Sequence, residues 1–402
     1  MVKKIIKSYD FSLILVVALL TIFGLIMIYS ASMVTAIQRY GVESDYFYDR
    51  QKLHIIGASL VFLFFAVFPY KLMLSNKILV PMVFLSLFVL GAILVFGHVA
   101  GNAQSWFKIG PISIQPSEFV KVSLIIYLSA VYAKKQSYIN EFNKGVVPPL
   151  LYLILVCFLI ALQPDYGTAA IIVLIAGTII ISSGMNLKNI FRLGILGLIL
   201  SIPIILILKD KVLSKVRLGR FEAFADPFSV EQTTGYHLVN SYLAMGSGGI
   251  EGLGLGQSVQ KLGYLPESHT DFIMAVIAEE LGIFGVSFVL LALGYIVLKG
   301  ILIGLKGKDP FGSLLAIGIS SMIGIQSFIN LGGISGIIPL TGVPLPFVSY
   351  GGSSLIQLSI AMGILVNVSM FVNYENKYKN KKPETKAVQS ENLSENPFYF
   401  RK

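Results

Sequence analysis

Pro266-Glu267-Ser268-His269-Thr270-Asp271 runs directly into the apolar stretch 272–300, and this junction decides how the rest of the chain is read. The stretch is longer than the roughly 20 residues a helix needs to cross about 30 Å of hydrocarbon. Asp271 stands at its mouth. Glu279 and Glu280 follow about 12 to 14 Å further along, at 1.5 Å per residue. An acid inside a span costs roughly 2.5 to 3.5 kcal/mol to insert, so three of them mark a polar task rather than filler.

The remainder of the chain is built for the same solvent. Its 402 residues are 55% hydrophobic and only 13% charged, which excludes a soluble multidomain protein. Runs long enough to span lie near 11–30, 53–69, 78–97, 117–133, 148–163, 167–184, 189–208, 272–298, 311–332 and 353–373, the fourth and fifth being short. The expected fold class is therefore an all-α polytopic membrane protein of about ten transmembrane helices. A membrane domain covers 1–374, with a large extracytoplasmic loop, 209–270, between the seventh and eighth spans. The polar residues 375–402 read as a disordered cytoplasmic tail. Lys3, Lys4 and Lys7 before the first run would suit a signal peptide, but its length and the spans that follow favour a retained anchor.

Placing the amino terminus inside puts Lys71, Lys77, Lys134, Lys135, Lys144, Lys188, Arg192, Lys299, Lys306 and Lys308 on the cytoplasmic side. The opposing short loops 98–116, 164–166 and 333–352 hold only Lys108 as a base. The first external loop carries Arg39, Arg50 and Lys52, offset by Glu43, Asp45 and Asp49. This positive-inside pattern places both termini in the cytoplasm. The formal charge of +10 is then topology, and no clustered basic face points to nucleic acid. Cys157 is the one cysteine, which excludes a disulfide framework. No HExxH, Cys/His cluster or phosphate-binding glycine loop is present, so neither a zinc site nor a nucleotide-driven pump is readable.

The unusual polar residues gather in the outward segments. The 209–270 loop carries six bases and six acids, with Phe221, Phe224, Phe228, Tyr236, Tyr242 and Tyr264. A loop of that length in a compact protein is functional or disordered, and its aromatics favour order. The glycine-rich run 246–256 permits tight turns beside a ligand, or a lid hinge. Trp106 and the Gln115-Pro116-Ser117-Glu118 start of the fourth span form a second segment, where Glu118 and Lys121 can pair at i, i+3 or Lys121 can face substrate. Asp165 lies in a minimal turn and could simply cap the next helix. Three prolines and three glycines within 339–352 preclude an uninterrupted helix and imply irregular backbone lining a cavity or forming a plug. Positions 271, 275, 278, 282 and 285 share one helical stripe of Asp, Ala, Ala, Gly and Gly, so Asp271 opens from a closely packed groove. Desolvation there would raise its pKa toward that of a general base; its bland role is an N-cap with Thr270. Glu279 and Glu280 lie off the stripe and read as packing contacts.

These segments together resemble the SEDS family (shape, elongation, division and sporulation). The residues that carry the likeness are Trp106 with Gln115-Pro-Ser-Glu118, Gln163-Pro-Asp165-x-Gly-Thr168, Pro266-Glu267-x-x-Thr270-Asp271-Phe272, Glu279-Glu280-x-Gly282 and Pro339-x-Thr-Gly342 through Ser354. They occur in family order over almost the whole membrane portion. The start at Ser8-Tyr9-Asp10 and the basic tail resemble the division branch of Bacillus-type bacteria more than the elongation branch. The resemblance implies a peptidoglycan glycosyltransferase that polymerises lipid II at the outer leaflet, with Asp271 as general base on the acceptor 4-hydroxyl. It implies substrate contacts from Trp106, Gln115, Ser117, Glu118, Lys121, Asp165, Arg217, Arg220, Glu267, His269, Thr270 and Ser349. Lys121, Arg217 and Arg220 are the candidates for stabilising the leaving pyrophosphate, aided in one version by a divalent cation such as Mg or Mn. Arg217 and Arg220 could instead pair with Glu222 and Asp226. A class B penicillin-binding protein, the transpeptidase, and other divisome membrane proteins are the implied partners. The alternatives are a non-catalytic divisome scaffold and a lipid II flippase.

Overall fold

Long apolar runs free of internal charge become helices because in hydrocarbon only intrachain hydrogen bonds satisfy the backbone. The protein, described as a computed structural model covering residues 2–100, 103–110, 112–207 and 214–379, follows that rule. After a short α1 (Val2–Ile6) come α2 (Phe11–Tyr40), α3 (Tyr46–Val67), α4 (Asn76–Phe96), α5 (Pro116–Lys134), α6 (Leu150–Leu162), α7 (Tyr166–Ser182) and α8 (Leu187–Ile207). The outer loop contributes α9 (Lys215–Ala225) and α10 (Tyr236–Gly248), and α11 (Ile273–Lys306), α12 (Pro310–Ile334) and α13 (Gly352–Tyr374) complete the bundle. A helix therefore covers each of the ten expected runs. Among the described residues seven are long and apolar enough to cross a membrane; α6 and α7 are shorter apolar helices.

Two features depart from the expected picture. Residues 98–114, expected as a loop, include a three-stranded antiparallel sheet of β1 (His98–Ala100), β2 (Ala103–Ile109) and β3 (Ile112–Ile114). Its alternating Phe107/Lys108/Ile109 against Ile112/Ser113/Ile114 pairs across a tight reversal, a pattern too short to stand out beside helical runs. The tail from Glu375 begins with a π-helical turn, Glu375–Lys379. The expected disorder of residues 380–402 lies outside the described residues.

Burial separates centre from rim. In α5, α12 and α13, 78, 67 and 83% of the most apolar window is buried, against 28, 17 and 17% in α2, α3 and α4. The first three form the middle of the bundle, and the others turn Leu60, Leu63, Phe64, Phe84 and Phe88 outward as a lipid-facing surface. The bases expected inside gather at one end: Lys134 donates to Asn76 across α5 and α4 at 2.7 Å, and Lys299 pairs with Asp10 at 3.1 Å.

Helix α11 is longer than one membrane crossing needs. Its 34 residues extend about 51 Å, well beyond about 30 Å of hydrocarbon. Gly282, at φ 58° and ψ −149°, breaks it, and residues 283–306 alone are long enough to cross. Glu279 and Glu280 therefore lie before the break, not deep within a span. The glycine-rich run packs onto that break. Leu253 N–H donates to the Glu279 carbonyl and Gly254 N–H to that of Glu280, each at 2.9 Å, while Ile283 N–H reaches the Ile250 carbonyl at 3.1 Å. These bonds replace those the broken helix loses. A Cβ on Gly252 would collide with the Glu280 carbonyl, and one on Gly282 with the Ile250 carbonyl. Gly248 and Gly252 serve this close backbone contact, and Gly249, Gly252, Gly254 and Gly256 adopt the positive φ of the tight turns expected from sequence.

Candidate active site

Besides α3, whose first turn packs on His269 and Tyr350, four helices begin at the end of the bundle away from the basic end: α5 at Pro116, α7 at Tyr166, α11 at Ile273 and α13 at Gly352. The segments that lead into them are the ones the sequence singled out. Among the described residues, each of the three non-glycine residues with positive φ falls in these segments: Pro164 (30°), Glu267 (59°) and Phe347 (64°). Backbone held in such sparsely populated regions persists where surrounding contacts enforce it, and it clusters at functional sites.

Asp271 sits where these segments meet. Its main-chain carbonyl accepts from Asn330 Nδ2 at 2.8 Å, and the same amide bonds the Val343 carbonyl at 2.7 Å, tying α12 to the irregular 339–352 segment. A methyl group on Gly342 would stand 3.4 Å from Asp271 Oδ2. The Ser349 hydroxyl donates to the Thr270 carbonyl at 2.6 Å and accepts from Leu345 N–H at 2.9 Å. Tyr350 N–H donates to the His269 carbonyl at 3.0 Å. The backbone on both sides of Asp271 is thus locked, while neither of its carboxylate oxygens takes a hydrogen bond from a described residue. Asp271 stays partly accessible. Burial pushes its carboxyl up to about 6; the Glu267 charge adds to the rise and Arg220 opposes it.

The bases come from α9. Arg220 Nη1 donates to the Leu340 carbonyl at 3.3 Å, and Arg217 Nη2 to the Pro164 carbonyl at 2.8 Å with its guanidinium 4.5 Å from the Tyr166 ring centroid. Both arginines reach inward, while Asp226 accepts from the Phe228 and Ser229 amides. A methyl on Gly167 would stand 3.7 Å from the Thr341 carbonyl, so the Asp165 turn adjoins the same segment that touches Asp271. Asp165 caps α7 through Thr168 N–H at 3.2 Å, its bland role. Burial pushes its carboxyl up; the nearby Glu118 charge adds to this and Lys121 opposes it. Lys121 pairs with Glu118 at 2.8 Å, with 1 and 7% of the side chains exposed, so the lysine is held by its own helix. Glu118 Oε2 and Ser117 Oγ are buried without a partner.

Other candidates stand further back. Gln115 touches α13 through its main chain, its N–H donating to Ser353 Oγ at 3.1 Å, and Trp106 is half-buried on β2. No hydrogen bond among the described residues joins either side chain to Asp271. His269 is buried against Phe47 and Tyr350, at 4.4 and 5.7 Å between centroids, and burial drives its imidazole down to about 4. Thr270 Oγ1 donates to Glu267 Oε2 at 3.0 Å. Sequence reading missed Asn330, although an amide within an apolar span is a usable signal. It also missed His237, whose ring stacks on Phe272 at 5.8 Å and which no periodicity marks.

Glu279 and Glu280 belong elsewhere. Glu280 accepts from Lys261 at 2.6 Å and from Ser30 at 2.7 Å, and Glu279 accepts from the Val259 amide at 2.8 Å and the Ser258 hydroxyl. They clamp the outer loop to α11 and α2, in keeping with the packing role expected of them.

Residues 10–374 match the model of the FtsW/RodA/SpoVE family, described as cell cycle proteins. The chain belongs to that family. It is 58% identical over 386 residues to the probable peptidoglycan glycosyltransferase FtsW of Bacillus subtilis (strain 168), covering 95% of this chain and 96% of that protein. It is 38% identical over 369 residues to stage V sporulation protein E of the same strain, covering 91 and 98%. Among solved structures it is similar to a chain of a peptidoglycan synthase complex (TM-score 0.71, 23% identity, 90 and 98% covered). It is also similar to the rod shape determining protein RodA of Thermus thermophilus (TM-score 0.65, 24% identity, 90 and 96% covered). The family membership read from the motif residues thus holds across the chain, and the polytopic helical fold with it.

Proposed function

We propose that this chain is a peptidoglycan glycosyltransferase that polymerises lipid II into β-1,4 glycan at the outer face of the cytoplasmic membrane during cell division. The observation that carries the mechanism is Asp271: a partly accessible carboxylate in a protein-lined site, free of donors, on a locked backbone. As general base it takes the proton of the acceptor 4-hydroxyl. The oxygen attacks the anomeric carbon of the donor, and the bond to pyrophosphate breaks with its electron pair leaving on undecaprenyl pyrophosphate. Attack opposite the leaving group inverts an α-linked donor into a β-linked glycan.

The pyrophosphate develops charge as it leaves, and preorganised positive groups lower that barrier. Arg220 is the base whose charge acts on Asp271, Arg217 stands on the Asp165 turn, and the N-termini of α5, α7, α11 and α13 point the same way. Lys121, held by Glu118, acts by fixing the start of α5. We assign Trp106, Gln115, Ser117, Glu118, Asp165, Glu267, His269, Thr270 and Ser349 to shaping this pocket around the two sugars. Among the described residues no three His, Cys, Asp or Glu side chains gather in metal-binding geometry. A Mg or Mn ion held by the pyrophosphate itself would offset part of its charge. We place both termini in the cytoplasm and the site outside, because the bases gather at the opposite end. A class B penicillin-binding protein is the proposed partner, with other divisome membrane proteins.

The test is glycan polymerisation from purified lipid II by the chain co-purified with its penicillin-binding partner. Polymer from wild type and none from Asp271→Asn, with partner binding intact, is the expected result. Equal polymer from both would remove Asp271 as the base. A flippase would need charges across the bilayer; Glu279 and Glu280 are consumed by the loop clamp.

A further inference from the structure

Glu267 is held on three sides. Its Oε1 accepts from Arg39 Nη1 at 3.1 Å and its Oε2 from Thr270 Oγ1 at 3.0 Å. Its carbonyl accepts from the Thr270 and Phe272 amides at 3.1 and 3.2 Å, so the backbone closes around Asp271 from Glu267. The residue adopts φ 59°, a region β-carbon-bearing residues rarely occupy. Arg39 comes from the last turn of α2, far from this turn in sequence, and nothing in the mechanism above uses it.

We propose that Arg39 and Glu267 form a positioning pair: Glu267 shapes the turn and presents a negative charge to Asp271, and Arg39 offsets that charge. The proposal rests on Asp271 being the base. Glu267 makes Asp271 hold its proton more tightly. The same two charges act with opposite signs on His237 and His269, Glu267 raising and Arg39 lowering each imidazole, though burial dominates both. The other charged or titratable groups around the turn are Arg220 on α9, His237 on α10, His269 in the turn itself and Tyr350 in the 339–352 segment, with Arg50 behind Tyr350. The element α12 presents the uncharged Asn330. Altering the pair also alters the charge felt by His237 and His269, with burial still dominating both.

The side chains of Arg39 and Glu267 are 53 and 37% exposed, so water screens the pair and its effect is modest. The experiment is the acid limb of lipid II polymerisation between pH 5 and 8, with the chain in complex with its partner. A base must be ionised, so a lower pKa at Asp271 moves the limb to lower pH. Glu267→Gln is expected to move it down by about half a pH unit, and Arg39→Gln up by less, because Arg39 stands behind Glu267. The double variant falls between Glu267→Gln and wild type, and Arg39→Lys leaves the limb in place. Opposite shifts from the two partners of one ion pair do not arise from a merely structural role, which would lower the rate in both without moving the limb. A wild-type limb near pH 6 that stays fixed in both variants overturns the pair alone. A wild type active without any acid limb overturns Asp271 as the base, and the pair with it. Should Glu267→Gln fail to fold, the exposed Arg39→Gln and Arg39→Lys variants still decide the outcome.

Discussion

Three acids stand within ten residues of one another at the start of α11, and the structure gives them different work. Glu279 and Glu280 are saturated with donors, whereas the Asp271 carboxylate takes none from the described residues. A carboxyl pushed up to about 6 by burial is ionised in smaller fraction as pH falls through that value. Polymerisation is expected to fall along a single acid limb near pH 6, measured as rate against pH at saturating lipid II. The same shift has a stability consequence. A raised carboxyl pKa means the folded protein binds the proton more tightly than the unfolded chain, so stability drains away as pH rises from the ordinary carboxylate range through 6. Asp271→Asn removes that loss. The variant should unfold at a higher temperature than wild type at pH 7.5, with the difference shrinking at pH 5. An unchanged midpoint at both would show that the site does not hold its base at a cost in stability.

At the level of elements, the break in α11 and the glycine-rich run form one joint. The run lends its N–H groups to the exposed carbonyls of Glu279 and Glu280, and Lys261 and Ser258 satisfy the two side chains. Gly252 adopts φ 80° and lies against the Glu280 carbonyl, so it has neither the space nor the backbone preference for a side chain. Gly252→Ala is therefore expected to loosen the outer loop and speed limited proteolysis within 246–262, while Gly246→Ala, with open space around it, leaves cleavage at the wild-type rate. Equal resistance in both would mean that the clamp does not depend on this contact. Since α9 and α10 carry Arg220 and His237, a loosened joint should also lower turnover.

Over the whole molecule, the site end and the basic end are separated by the length of the bundle. The arrangement fits a membrane protein whose chemistry faces one side only. In a Cys157→Ala background, Phe228→Cys is expected to react with a membrane-impermeant maleimide in intact cells, and Lys308→Cys only after permeabilisation. The reverse pattern would invert the proposed orientation and remove lipid II at the outer leaflet as the substrate.

Much of this was legible beforehand, for a local reason. Hydropathy and charge act residue by residue, so apolar runs, basic loop ends and the polar segments at 106–121, 163–168, 266–272 and 339–354 could be read without a fold. Even the helix starts at Pro116 and Asp165 follow from capping chemistry, as does the Glu118–Lys121 pair from i, i+3 spacing. The sheet at 98–114 escaped because three short strands carry no periodicity long enough to register. What no local rule could decide is which acid remains free. Glu280 meets Ser30, Glu267 meets Arg39, and Asn330 braces Asp271, all across long stretches of chain. By itself the sequence determined the solvent, the spans and the polar segments, because insertion energy depends on each residue's own surface. Only the tertiary structure decided the chemistry, because a carboxylate's proton affinity depends on the donors and charges that the fold brings beside it.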